Sequence, residues 1–296
     1  MALHSATTPE GDGLSRRSKT WPQKLRREFG RLLAQSNTLT MRPRALTTRT
    51  QFLFVLGHMR SGSTLLCHLL CNSSEIVGFG ETHNNYRRRS DLAKLLMSVR
   101  KYTGKNPMDY RYVLDKIVGA QHVINAAVLT DRRTRYVFLI REPMASVASI
   151  VAMRRQFNDE SPDQSLEFAI EHYTGRLAQL EQFAHTIDDP QRCLLVTHRQ
   201  LLGETQAAFR ALETFLGLNT RMREDYAIMP TTGQPGIGDP SPNIRLGKID
   251  RSLPRKYVAL PGKLQQHLDQ CYVTCAEKLR EMVQTPDFRT TYLRAA

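Results

Sequence analysis

Apolar positions along the chain fall into two kinds of block. Short compact runs that stop at a glycine or a charge predict buried strands, while longer stretches with apolar residues at i, i+3 and i+4 predict amphipathic helices. Gln51 to Leu56 is a run of the first kind, halted by Gly57, and helical character resumes from Leu65 to Leu70 beyond Gly62. A second strand is predicted around Ile76 to Phe79, a helix over Arg87 to Val99, and an apolar run over Tyr110 to Leu114. Tyr136 to Ile140 reads as a further strand, ending in Arg141-Glu142-Pro143 before a small, apolar helical stretch from Ala145 to Met153. Leu166, Ile170, Tyr173, Leu177, Leu180 and Phe183 then form one stripe of a long helix. Cys193 to Val196 predicts a strand, Glu204 to Leu216 a helix closed by Gly217, and Leu264 to Met282 a last helix. Strands alternating with helices imply an α/β fold with a parallel sheet covered on both faces.

Ahead of this pattern, residues 1–50 behave differently. They hold ten Lys/Arg against three Asp/Glu, half of the net charge of +14, and divide the chain into a basic N-terminal arm (1–50) and an α/β domain (51–296). Within the arm, Trp21, Leu25, Phe29, Leu32 and Leu33 recur at helical spacing between basic residues, a short amphipathic helix suited to packing on the domain or to an anionic membrane surface. The start from Met1 to Gly13 lacks a charged segment followed by an apolar one, so a cytoplasmic protein with at most peripheral membrane contact through residues 21–33 is expected. Five cysteines fit that compartment. Cys67, Cys71, Cys271 and Cys275 fall on apolar helical stripes and read as buried thiols rather than zinc ligands. The charge surplus favours an anionic partner, either a phosphate-rich cofactor, a nucleic acid or an acidic surface.

Gly57-His58-Met59-Arg60-Ser61-Gly62-Ser63-Thr64 joins a predicted strand to a predicted helix. Glycines there let successive N–H groups and the positive end of the helix converge on an anion, the design of a phosphate-binding loop. A plain strand-to-helix turn is the structural alternative. Nucleotide kinases and ATPases place a Lys directly before the Thr, where this chain has Ser63; Arg60, two residues before the second glycine, is the available cation. The strand ending in Arg141 also lacks an acidic metal ligand, which weighs against an ATP- or GTP-dependent kinase. A non-enzymatic anion or nucleic-acid binder finds no support beyond charge, because no zinc finger, basic zipper or aromatic-interleaved platform is present.

The loop with Arg60, followed by the strand Tyr136 to Ile140, Arg141 and Ser149, resembles the two cofactor-binding elements of the sulfotransferases that use 3′-phosphoadenosine 5′-phosphosulfate (PAPS), over most of Gln51 to Lys248. The resemblance implies a three-layer α/β domain with a central parallel sheet, like the P-loop nucleotide-binding proteins. It also implies transfer of a sulfuryl group to a hydroxyl or amine, without a metal in the transfer step. By the same resemblance Arg60, Ser61, Gly62, Ser63 and Thr64 grip the 5′-phosphosulfate, while Arg141 and Ser149 bind the 3′-phosphate. That assignment is physically coherent, since Arg141 leaves a strand end and Ser149 lies two turns along the next helix, so both can face one anion.

The Gly-Glu context of Gly80-Glu81-Thr82-His83 matches that of the Golgi-type tyrosine and carbohydrate sulfotransferases, which implies Glu81 as the base, with His83 as the alternative. Lys116, in Asp115-Lys116, resembles a family lysine that contacts the transferred group, and Lys248, in Leu246-Gly247-Lys248-Ile249, resembles a late loop closing over the 3′-phosphate. His198 stands where the family often has Tyr at a later strand end. The acceptor class, whether small molecule, carbohydrate, lipid or tyrosine, is left open by the sequence. The predicted helices Arg87 to Val99 and Leu166 to Phe183 and the loop Thr231 to Gly247 are expected to shape its pocket.

Overall fold

The computed structural model describes residues 50–158, 161–233, 242–252 and 258–285. The basic arm with its proposed Trp21 to Leu33 helix, and positions 234–241 of the Thr231 to Gly247 loop, therefore lie outside the described residues. Five strands form one sheet: β1 (Gln51–Gly57), β2 (Ile76–Val77), β3 (Tyr112–Ile117), β4 (Thr134–Ile140) and β5 (Cys193–Thr197), in the order β2-β3-β1-β4-β5 with every pair parallel. β1 lies at the centre, with Leu56 opposite Ile117 on one side and Phe138 on the other.

Each strand is apolar at consecutive positions because both faces are covered. Phe52, Phe54 and Leu56 of β1 belong to one core with α2 (Leu92–Thr103), α3 (Ala126–Leu129), α4 (Pro143–Asn158), α5 (Pro162–Ile187) and α8 (Gly262–Met282). Leu53 and Val55 belong to the other, with α1 (Ser63–Cys71), α6 (His198–Gly203) and α7 (Thr205–Leu216). The α/β class with its central parallel sheet is thus as the sequence predicts. The helix after β1 packs on one face and the helix after its neighbour β4 on the other, so a crevice opens between the carboxyl ends of these two strands, where a doubly wound sheet binds ligands.

Several boundaries differ from the sequence prediction. β2 is two residues long instead of four, because the chain turns away through Gly78 and Gly80, the latter at φ 107°. A Cβ on Gly78 would lie 2.8 Å from the Leu114 carbonyl oxygen, so only glycine permits this approach to β3. Arg87 and Arg88 precede the helix rather than begin it: Asp91 accepts from both their backbone N–H groups, and a single 3-10 turn leads into α2. Asp115 and Lys116 were expected beyond the strand and instead occupy its last turns of pleat, fully inside β3. Polar neighbours at the carboxyl edge of the sheet satisfy both, which lets the strand continue through two charges. Among the thiols, Cys67 and Cys275 are buried as expected, whereas Cys71 and Cys271 are half-buried at helix edges.

Candidate active site at the carboxyl edge of the sheet

Gly62 caps α1 in the left-handed region (φ 91°), and the helix begins with neither a side-chain cap nor an acidic residue in its first turn. Its first N–H groups are thereby left to an external acceptor, at the positive end of the helix dipole. Beside them the Ser61 Oγ is buried and has no hydrogen-bond partner among the described residues. Arg60 is itself held at φ 64°, a left-handed conformation that costs a non-glycine residue about 1 kcal/mol or more and persists only when its surroundings fix it. Two contacts do so. Its Nε donates to Ser149 Oγ at 2.9 Å, and its carbonyl accepts from Arg141 Nη1 at 3.1 Å.

Arg60, Arg141 and Ser149 are thus assembled across the β1–β4 crevice from three separate segments. The Arg141 backbone is pinned on both sides: its N–H donates to His58 Nε2 (3.1 Å), and its carbonyl accepts from the Tyr173 hydroxyl (2.8 Å). Because His58 Nε2 accepts, its Nδ1 carries the proton and donates to the Met59 carbonyl at 2.8 Å. Burial pushes the His58 imidazole down to about 3, which keeps it neutral and fit for this role. The next residue is held similarly, as the Met59 N–H donates to His172 Nε2 (3.1 Å), and burial lowers His172 to about 4.

A second group faces the loop from β3. Lys116 Nζ donates to Thr64 Oγ1 (3.1 Å) and lies 3.3 Å from Glu81 Oε2, the Lys116 side chain being 4% exposed and that of Glu81 12%. Although β2 ends at Val77, the chain beyond it still tracks β3, because the Lys116 N–H donates to the Gly80 carbonyl (3.2 Å). This carries Glu81 to the loop. Asp115 fixes the same turn: its Oδ1 accepts the backbone N–H of Thr82 and of Lys116, and its Oδ2 accepts the Thr82 and Tyr86 hydroxyls. Burial raises the Asp115 carboxyl to about 6, and these four donors oppose that shift. The Oε1 of Glu81 points the other way, 3.8 Å from both His83 Nδ1 and His122 Nδ1.

Of the residues singled out in the sequence, Arg60, Ser61, Gly62, Ser63, Thr64, Glu81, Lys116, Arg141 and Ser149 are brought to one edge of the sheet. Lys248 is not joined to them by any described contact: it is exposed, and its backbone pairs antiparallel with that of Asp225. His198 lies against the loop, for a Cβ on Gly62 would sit 2.7 Å from its Cδ2. Sequence reasoning missed His58, His172, His122 and Arg176. Arg176 is completely buried in α5, where its Nε donates to the Gly57 carbonyl (2.7 Å) and its Nη2 to that of Ile117 (2.6 Å), tying together the last residues of β1 and β3. The signal for it was present. Position 176 falls between Tyr173 and Leu180 on the apolar stripe, where a surface arginine does not belong.

Residues 104–222 match a model of the sulfotransferase family. Two solved structures share the fold: the sulfotransferase domain from the curacin biosynthetic pathway aligns over 76% of this chain and 98% of its own, at 18% identity and a TM-score of 0.50. The sulfotransferase domain of the Synechococcus PCC 7002 olefin synthase aligns over 77% and 96%, at 20% identity and a TM-score of 0.51. No curated protein matches the sequence. The matched segment runs from the end of α2 through β3, β4 and β5 and carries Lys116, Arg141 and Ser149, so this part of the chain is similar to the sulfotransferase family, and the described domain shares the fold of sulfotransferase domains.

Proposed function

We propose that the enzyme moves a sulfuryl group from PAPS to a hydroxyl or amine of its acceptor, with Glu81 as the base. The observation that carries this is the assembly of Arg60, Arg141 and Ser149 across the crevice from the phosphate-binding loop. The residues fit a doubly phosphorylated nucleotide. An uncapped helix start with a buried, unpartnered Ser61 hydroxyl suits one anion, and the Arg141–Ser149 pair suits a second that ATP, with a 3′-hydroxyl, does not have. When bound, PAPS supplies an activated sulfuryl group on a phosphate leaving group.

The remaining chemistry belongs to the chain. Ser61, Gly62, Ser63 and Thr64 hold the 5′ end by backbone and hydroxyl donors, and Arg60 and Lys116 place positive charge where charge develops during transfer. Lys116, bonded to both Thr64 and Glu81, sets the distance between the loop and the base. Glu81 accepts the acceptor's proton at its carboxylate, and Asp115 holds the Glu81-Thr82 turn in register for it. Lys248 is proposed to reach the 3′-phosphate from the late loop.

A thermal-shift comparison of 3′-phosphoadenosine 5′-phosphate, ADP and ADP with Mg²⁺ tests the cofactor class. Selective binding at about 100 times Kd adds about 2.7 kcal/mol to stability, and it is expected for the 3′-phosphorylated nucleotide alone. A Mg²⁺-dependent response to ADP would overturn the assignment in favour of a kinase. Arg60→Ala is expected to weaken nucleotide binding and abolish transfer, whereas Glu81→Gln is expected to abolish transfer with binding retained. Full activity in Glu81→Gln would move the base to His83.

A further inference from the structure

His83 is the second residue of this edge that stands at a positive φ, 56°, without being glycine. This backbone turn sets the imidazole beside Glu81 and His122 while leaving one side of it in solvent. His83 Nδ1 lies 3.2 Å from His122 Nε2, both imidazoles approach Glu81 Oε1 to 3.8 Å, and one ligand atom from each of the three residues lies within 4.8 Å of the others. Zn²⁺ holds nitrogen and oxygen ligands at roughly 2.0–2.2 Å in a tetrahedron, which places those ligand atoms about 3.3–3.5 Å apart. His122 faces His83 with Nε2 and Glu81 with Nδ1, so a rotation of its ring must bring one nitrogen to both partners, closing separations of up to 4.8 Å toward that figure.

We infer that Glu81, His83 and His122 form a binding site for a divalent, imidazole-preferring transition metal such as Zn²⁺. Two imidazoles and one carboxylate leave the fourth tetrahedral position open, and they disfavour Mg²⁺ and Ca²⁺, which take oxygen ligands. His122 is buried and His83 exposed, so the metal enters from the His83 side. The two oxygens of Glu81 divide the work: Oε2 faces Lys116 and Oε1 faces the imidazoles. The Lys116 ammonium opposes a nearby cation, and its pairing with Oε2 softens that repulsion. A metal on Oε1 competes with the acceptor's proton for Glu81, so occupation of the site inhibits transfer. This inhibitory half rests on the proposed role of Glu81 as base; metal binding does not.

The test uses the full chain without nucleotide. Titration with Co²⁺ is expected to give visible ligand-field bands at one ion per chain, displaced by Zn²⁺. His83→Asn, which removes the imidazole while tolerating a positive φ, and His122→Gln are each expected to weaken binding at least tenfold, with melting curves of the metal-free variants checking that they fold. Unchanged Co²⁺ affinity in His83→Asn would overturn the site even if His122→Gln fails to fold. So would thiolate charge-transfer bands, which would place the ion on cysteine. In transfer assays Zn²⁺ is expected to inhibit the native enzyme at concentrations at least tenfold below those that inhibit His83→Asn. Zn²⁺ bound at this trio with transfer unimpaired would retire Glu81 as the base and leave the metal site standing, whereas a metal-binding protein that ignores 3′-phosphoadenosine 5′-phosphate would retire the PAPS assignment alone.

Discussion

Gly62 carries two separate demands that no other residue meets. Its φ of 91° lies where side chains are strained, and a Cβ there would come within 2.7 Å of His198 Cδ2. Strain of this kind costs on the order of 1–3 kcal/mol, and the clash must be relieved by moving either His198 or the loop. Gly62→Ala is therefore expected to lower stability by about 1–3 kcal/mol and to weaken nucleotide binding more than tenfold, because the displaced loop aims its N–H groups away from the anion. Adding His198→Ala separates the two demands. Chemical denaturation of the pair should show recovery of the steric part and persistence of the backbone part; a Gly62→Ala protein as stable as the native one would show that the loop has another conformation open to it.

Among the elements, α5 does the most to hold the site without touching a ligand. Tyr173 reaches the Arg141 carbonyl, His172 the Met59 N–H, and Arg176 the carbonyls of Gly57 and Ile117, all from within five positions of one helix. These carbonyls end their strands and are sealed from water, so an unmet acceptor costs about 1–3 kcal/mol each. Arg176→Met fills much of the volume and provides no donor; it is expected to destabilise the fold by about 2–6 kcal/mol and to raise the KM for the cofactor in whatever protein remains folded. Arg176→Lys, able to reach one carbonyl, should fall between. Equal stability of Arg176→Met and native protein in urea would mean that water already serves those carbonyls. The same helix shows what the sequence could reveal. Its stripe from Leu166 to Phe183 was legible from apolar spacing, as were the carboxyl ends of β1 and β4 and the residues of the loop. The polar members of the buried face were not, because His172 and Arg176 are buried by partners hundreds of atoms away in sequence, and spacing records only which residues avoid water. For the same reason Asp115 and Lys116 were expected outside β3: charge ends a strand in a pattern, and only their tertiary partners allow it to continue. His122 lies where the chain has no periodicity at all, so its approach to Glu81 had no sequence signal.

At the scale of the whole molecule, acid is the condition to which this arrangement is most sensitive. His58 and His172 have ordinary values near 6.5 in the unfolded chain and are lowered by burial to about 3 and about 4 in the fold. The unfolded state therefore binds more protons than the folded one from pH 6.5 downward, and stability present above 6.5 is lost as pH falls toward those values. Asp115 works in the opposite sense. Raised from 3.8 to about 6 by burial, it costs stability above pH 6 and returns it as pH falls to about 4. At about 1.4 kcal/mol per unit, the two histidines together withdraw on the order of 7 kcal/mol between pH 6.5 and 4, against about 3 kcal/mol returned by the aspartate. The net effect is destabilisation toward acid: in the folded protein Asp115 takes up its proton first, near pH 6, while the histidines that fix Met59 and the Arg141 backbone stay neutral until about pH 4 and below, and it is the unfolded chain that gains protons on them. His58→Gln keeps a donor for the Met59 carbonyl and an acceptor for the Arg141 N–H while removing the titration. Melting temperatures measured from pH 7 to 4 are expected to drop steeply for the native protein and less steeply, by close to one proton's worth of slope, for His58→Gln; identical slopes would mean that His58 is hydrated in the folded state and that Arg141 is held by some other means.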